Sequence, residues 1–92
     1  MARYQTEISN LTALKESFQR AGQGQSTVAL LETNIQRLSL LASGWPKGSS
    51  DPEDRRMARR DLLEAVKSDI TSLQAASQAG ADMVLDMVLK GL

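Results

Sequence analysis

Four arginines in six residues, Arg55, Arg56, Arg59 and Arg60, form the densest charge in the chain. Such a cluster can grip phosphate, on a nucleic acid or on an anionic membrane surface. Asp51, Glu53, Asp54, Asp61 and Glu64 crowd it. In a helix those acids lie within reach of the arginines and cancel much of their field. A patch of both signs suits recognition of a protein partner better than recognition of phosphate. Asp82 and Asp86 stand four apart with Lys90 four further on, which reads as the wet edge of an amphipathic helix rather than a metal or acid–base pair. Gly22-x-Gly24 lacks the preceding strand and the third glycine that a dinucleotide loop requires. With no His and no Cys in 92 residues, the commonest zinc ligands and nucleophile–base pairs are unavailable. The expectation is therefore a non-enzymatic protein with no cofactor and no metal.

Composition narrows the partner. Eleven basic and eleven acidic residues give net charge zero, which argues against a dedicated nucleic-acid binder. No run approaches the roughly 18 apolar residues that span a bilayer. The stretch Met1-Ala2-Arg3-Tyr4-Gln5-Thr6-Glu7 lacks the apolar core of a cleavable leader. The expected location is the cytoplasm, or outside it by a route that needs no such leader. A single domain of this size buries only about 60–65 % of its unfolded surface. Without disulfides to help, oligomerisation or partner binding is the expected source of further burial.

The elements that position these residues are helices. Ile8, Leu11, Leu14, Phe18, Ala21, Val28, Leu31, Ile35, Leu38 and Ala42 recur every three or four residues, one face of an α-helix. Gly22 and Gly24 weaken it, each costing about 1 kcal/mol in a helix interior. The pattern predicts one long helix over 4–43, kinked or frayed at 22–25, with two shorter helices joined there as the alternative. A hard break follows at 43–52, rich in Gly, Pro and Ser. Asp51 then caps a second helix, Pro52 suits its first turn, and Glu53 and Asp54 favour its dipole. Its apolar face reads Met57, Leu63, Val66, Ile70, Leu73, Ala76, Gly80, Val84 and Met87, over 52–90. The expected fold is all-α: one domain, an antiparallel two-helix hairpin with helices about 60 Å long. In that register Phe18 faces Ala76, Ser77 and Gly80.

Two features point to an interface. Trp45 lies in the turn, where it either caps the hairpin core or anchors a partner. Met83, Val84, Leu85, Met87 and Val88 make the last helix apolar over a wider arc than one neighbouring helix can cover. That surplus predicts coiled-coil-like association, with a copy of the chain (a dimer or polymer) or with another helical protein. The acidic polar edge disfavours a lipid surface.

Leu38-Ser39-Leu40-Leu41-Ala42-Ser43-Gly44-Trp45 resembles the approach to the turn in the Trp-x-Gly family exported by type VII secretion systems. In this chain Pro46-Lys47 separates Trp45 from Gly48, and the family's C-terminal Tyr signal is absent. Ser50-Asp51-Pro52 and the apolar close Asp82 to Leu92 resemble needle and inner-rod subunits of type III secretion systems. Either resemblance implies a helical hairpin that assembles, as a secreted substrate or structural component of a secretion apparatus. Composition alone leaves two alternatives: an adaptor or chaperone-like protein that holds a partner's amphipathic helix, and a weak nucleic-acid binder using the four arginines.

Overall fold

The computed structural model describes residues 3–22, 24–46 and 51–76 in full, and 79–92 apart from the side chains of residues 79 and 80. The described chain is all-helical, as expected, but it is a four-helix arrangement and not a two-helix hairpin. The helices are α1 (Gln5–Arg20), α2 (Gln25–Ala42), α3 (Pro52–Ala76) and α4 (Ala79–Gly91). They close a ring in which α2 packs on α1 and α3, and α4 packs on α3 and α1. Helices of 60 Å could not fit a molecule whose longest extent is 44 Å.

The first segment is not one long helix but the alternative, two shorter helices joined near 22–25, and the reason is geometric. Each α-helical residue turns the face by about 100°, so the twenty residues from Leu11 to Leu31 turn it by about 200°. Both leucines are fully buried. A straight helix would aim them at opposite sides, and only a chain that doubles back brings both into one core. Gly22 makes the reversal. It sits just past the C-cap Ala21 with φ +74°, a left-handed conformation that glycine adopts without penalty, and its N–H donates to the Gln19 carbonyl at 3.2 Å.

The end of α2 is closed in the same way. Gly44 has φ +93°, its N–H donates to Leu41 O at 3.3 Å, and Trp45 N–H donates to Leu40 O at 3.1 Å. This is a Schellman motif. At the start of α3, Asp51 Oδ1 accepts the Glu53 N–H at 2.9 Å, the cap expected from the sequence.

The core comprises Leu11 and Leu14 of α1, Leu31, Leu38 and Leu41 of α2, Val66, Ile70 and Leu73 of α3, and Ala81, Leu85 and Val88 of α4. On α4 this face is rotated by one residue from the expected Gly80, Val84 and Met87. The expected face was extrapolated from α3 as though the helix were unbroken, whereas α3 ends at Ala76 and α4 begins at Ala79. Phe18 accordingly shares its groove with Ala81 and Val84. The expected neighbours Ser77 and Gly80 fall outside the described side chains.

One core position is polar. Asn34 is completely buried between Leu31 and Leu38. Its Nδ2 donates to Leu30 O at 2.8 Å and to Asp69 Oδ2 at 3.1 Å. Arg37 Nη1 donates to Asn34 Oδ1 at 3.2 Å and to the same Asp69 oxygen at 2.7 Å. A buried amide costs free energy unless it is bonded, so this junction holds α2 against α3 in one register.

Two stability measurements check this packing. Asn34→Ala strands the Arg37–Asp69 pair beside a cavity and should lower unfolding free energy by about 2 kcal/mol in urea titration. Asn34→Leu should keep or raise stability yet broaden amide NMR signals, because hydrophobic packing alone tolerates several registers. Acid titration reads the α1–α2 contact. Lys15 bonds to Glu32 at 2.7 Å and holds that carboxyl below its usual 4.5. A carboxyl depressed in the folded state adds stability that is complete above its unfolded value and lost as pH falls through the folded one. Wild type should therefore lose stability below pH 4.5, and Glu32→Gln should lose less over that range.

Candidate functional site

The four arginines do not form one basic face. At about 100° per residue, Arg55 and Arg59 lie on one side of α3 and Arg56 and Arg60 on another. Arg59 turns inward. Its Nη1 donates to Trp45 O at 2.5 Å and its Nη2 to Leu41 O at 3.1 Å. Leu41 lies in the last turn of α2, where the dipole favours a cation, and its carbonyl also accepts the Gly44 N–H; Trp45 follows just past the helix. Arg59 is therefore a bracket between α3 and the close of α2. Arg55 is also engaged. Arg56 pairs with Glu53 at 2.6 Å, and Arg60 approaches Asp61 at 3.9 Å, both well exposed. Glu53 and Asp61 thus partner arginines of the cluster, whereas Glu64 approaches Lys67 at 3.9 Å.

Trp45 is half-buried and packs against the core. With Leu40, Ser43 and Pro46 it lines a shallow hollow at the end of α2.

The apolar residues of α4 separate into two sets. Leu85 and Val88 were expected at an interface, but they are fully buried within the chain's own core. The surplus arc was reckoned against one covering helix, and α4 has two, α1 and α3. Val84 is half-buried. Met83 and Met87 remain outside, 72 % and 59 % exposed, the most exposed large apolar side chains among the described residues.

Between α1 and α4 runs a groove whose lining includes Val84, the sequence neighbour of Met83 and one turn from Met87. The groove is lined by Asn10, Ala13, Leu14, Ser17 and Phe18 on α1 and by Ala81 and Val84 on α4. The helices run antiparallel, since a Cβ on Gly91 near the end of α4 would lie 2.5 Å from Glu7 Oε2 near the start of α1. Met87 lies three residues beyond Val84 and four beyond Met83, so it neighbours both on the surface of α4. Across the groove, Asn10, Ala13 and Ser17 follow at the same spacing. None of these six carries a charge, in a chain whose residues are 24 % charged. Asp86 and Lys90 pair at 3.0 Å, Asp86 three residues beyond Met83 and Lys90 three beyond Met87, so a charged pair stands beside the methionines.

Sequence reading found the α4 half of this face and missed the α1 half. Ala13 and Ser17 stand outside the apolar stripe of α1, and nothing in the sequence places α4 beside them. Among the described residues no group of His, Cys, Asp or Glu is arranged to hold a metal ion, and no helix is long and apolar enough to cross a membrane. The chain matches no family model, no curated protein and no solved structure.

The bracket is open to test. Arg59→Ala should remove the guanidinium's bonds to the Leu41 and Trp45 carbonyls and lower stability by about 1–2 kcal/mol, with fluorescence of the single tryptophan moving red in thermal melts. Arg56→Ala, whose side chain is exposed and paired only with Glu53, should change stability by under about 0.5 kcal/mol.

Proposed function

We propose that this chain is a non-enzymatic helical protein that acts through helix–helix association, with the α1/α4 face as its contact surface. The observation that carries the reading is the exposure of Met83 and Met87 beside an uncharged groove. Exposed single apolar residues are ordinary on a protein surface. Two unbranched, flexible side chains standing together over a small-residue groove supply the adaptable packing of a binding surface. Arg59 is engaged with backbone carbonyls and Arg56 with Glu53, which weighs against phosphate recognition through the arginine cluster.

A place as a secreted substrate or structural component of a bacterial secretion system is the finer form of this reading. Its support is the sequence likeness at Leu38 to Trp45 and at Ser50-Asp51-Pro52. The families that share those features are built as two-helix hairpins, so the likeness extends to segments and not to architecture. An adaptor that holds a partner's amphipathic helix would use the same face.

With no native cysteine, a single introduced one is a unique attachment point. A photo-crosslinker on Met87→Cys, irradiated in the cells that make the protein, should trap a protein partner. The same probe on Arg56→Cys, on the solvent side of α3, should trap far less. Equal or absent trapping at both positions overturns the proposed contact face.

A further inference from the structure

Resting on that reading, we infer that Met83 and Met87 are a modification site. A hydroperoxide converts their thioethers to sulfoxides, which disables the contact face and leaves the fold standing. The chain keeps its sulfur out of its core. It holds four methionines and no cysteine. Met57, Met83 and Met87 are 45 %, 72 % and 59 % exposed, and the core is assembled from Leu, Val, Ile and Ala instead. Methionine ranks with those residues among the side chains that proteins usually bury, so its outward placement here is a distinct feature. With no thiol in the chain, an oxidant meets thioether sulfur alone.

The chemistry needs only the peroxide. A lone pair on Sδ attacks one peroxide oxygen, an S–O bond forms and the O–O bond breaks. Sulfur thereby loses two electrons to the departing oxygen. With hydrogen peroxide, the attacked oxygen passes its proton to the leaving hydroxide, which departs as water. A sulfoxide reductase supplied with two thiols reverses the step, yielding a disulfide and water.

Position decides what the new oxygen does. In a dry core it would be a polar atom without a partner and would loosen the bundle. At 83 and 87 it stands in water, so the folded monomer is spared. Packing against neighbours, more than helix propensity, keeps a helix of this length in place. That packing is supplied on α4 by Ala81, Leu85 and Val88, none of which contains sulfur. In a complex the same oxygen must shed its water against an apolar neighbour, so the penalty falls on association alone. Met87 is four residues beyond Met83, which brings both oxygens out on one side of the helix. Met57 lies near the start of α3 beside Glu53, Arg56 and Arg60, and its oxidation leaves the α1/α4 face unaltered.

Hydrogen peroxide on the purified chain reads the first half. Peptide mass spectrometry should find one added oxygen on Met83 and on Met87, with helical circular dichroism and the melting curve unchanged. A photo-crosslinker on Ser17→Cys, an exposed residue of the groove, reads the second half. The labelled protein, before oxidation or freed of peroxide after it, is irradiated in extract of the cells that make it. Oxidation should lower the trapped product about tenfold, and reductase with dithiothreitol should restore it. Labelled Met57→Leu should show the same loss on oxidation. Labelled Met83→Gln, Met87→Gln, with polar groups in place of the sulfoxides, should trap about tenfold less before any oxidant is added.

A melting curve lowered by oxidation overturns the inference, as does equal trapping before and after it or wild-type trapping by the double Gln variant. Each of these leaves the association reading standing. No trapped protein from the untreated chain removes that reading, and the modification site's effect with it.

Discussion

The pairing of α2 with α3 depends on the amide of Asn34. A hydrophobic stripe specifies which side of a helix faces inward but is permissive about sliding along its neighbour. A buried amide is not permissive, because its donors and acceptor must find partners in the dry interior. Asn34 finds them in Leu30 O, Asp69 and Arg37, and the Arg37–Asp69 ion pair at 2.7 Å closes the set. One turn beyond the end of α2, Arg59 performs a related task by binding the last carbonyls of that helix. Polar bonds therefore fix α2 and α3 to each other at two levels.

The other layer is held differently. α1 reaches α2 through Lys15 and Glu32 at the surface and otherwise through Leu11 and Leu14. α4 enters the core through Ala81, Leu85 and Val88. Between these two helices the groove is lined by uncharged residues. A molecule divided in this way has one half that sets the geometry and another whose exterior remains available for contact. The proposed association surface lies on the half that polar bonds constrain least.

Gly22 links the two layers in sequence. Without a residue that takes a positive φ cheaply after Ala21, the chain would continue as a helix, and Leu31 would point away from the core that Leu11 occupies. Gly44 does the same service at the opposite end of α2. α1 and α2 are each followed by a glycine in the left-handed region.

Much of this was legible in the residues alone. Helical class followed from three- and four-residue spacing, the close of α2 from Gly44 and Pro46, and the start of α3 from Asp51-Pro52-Glu53-Asp54, because these are local effects of backbone geometry and capping. The neutralisation of the arginine cluster was equally local. Helix number was not. Whether Gly22 bends a helix or reverses it depends on where the core lies, and Asn34 could be recognised as a core residue only after α3 had been placed beside it. The same holds for α4: its apolar width was plain in the sequence, but which of its side chains are inside depends on being flanked by both α3 and α1. Local sequence determined what each segment is; the tertiary structure alone decided which faces meet, since burial is a property of neighbours and not of residues.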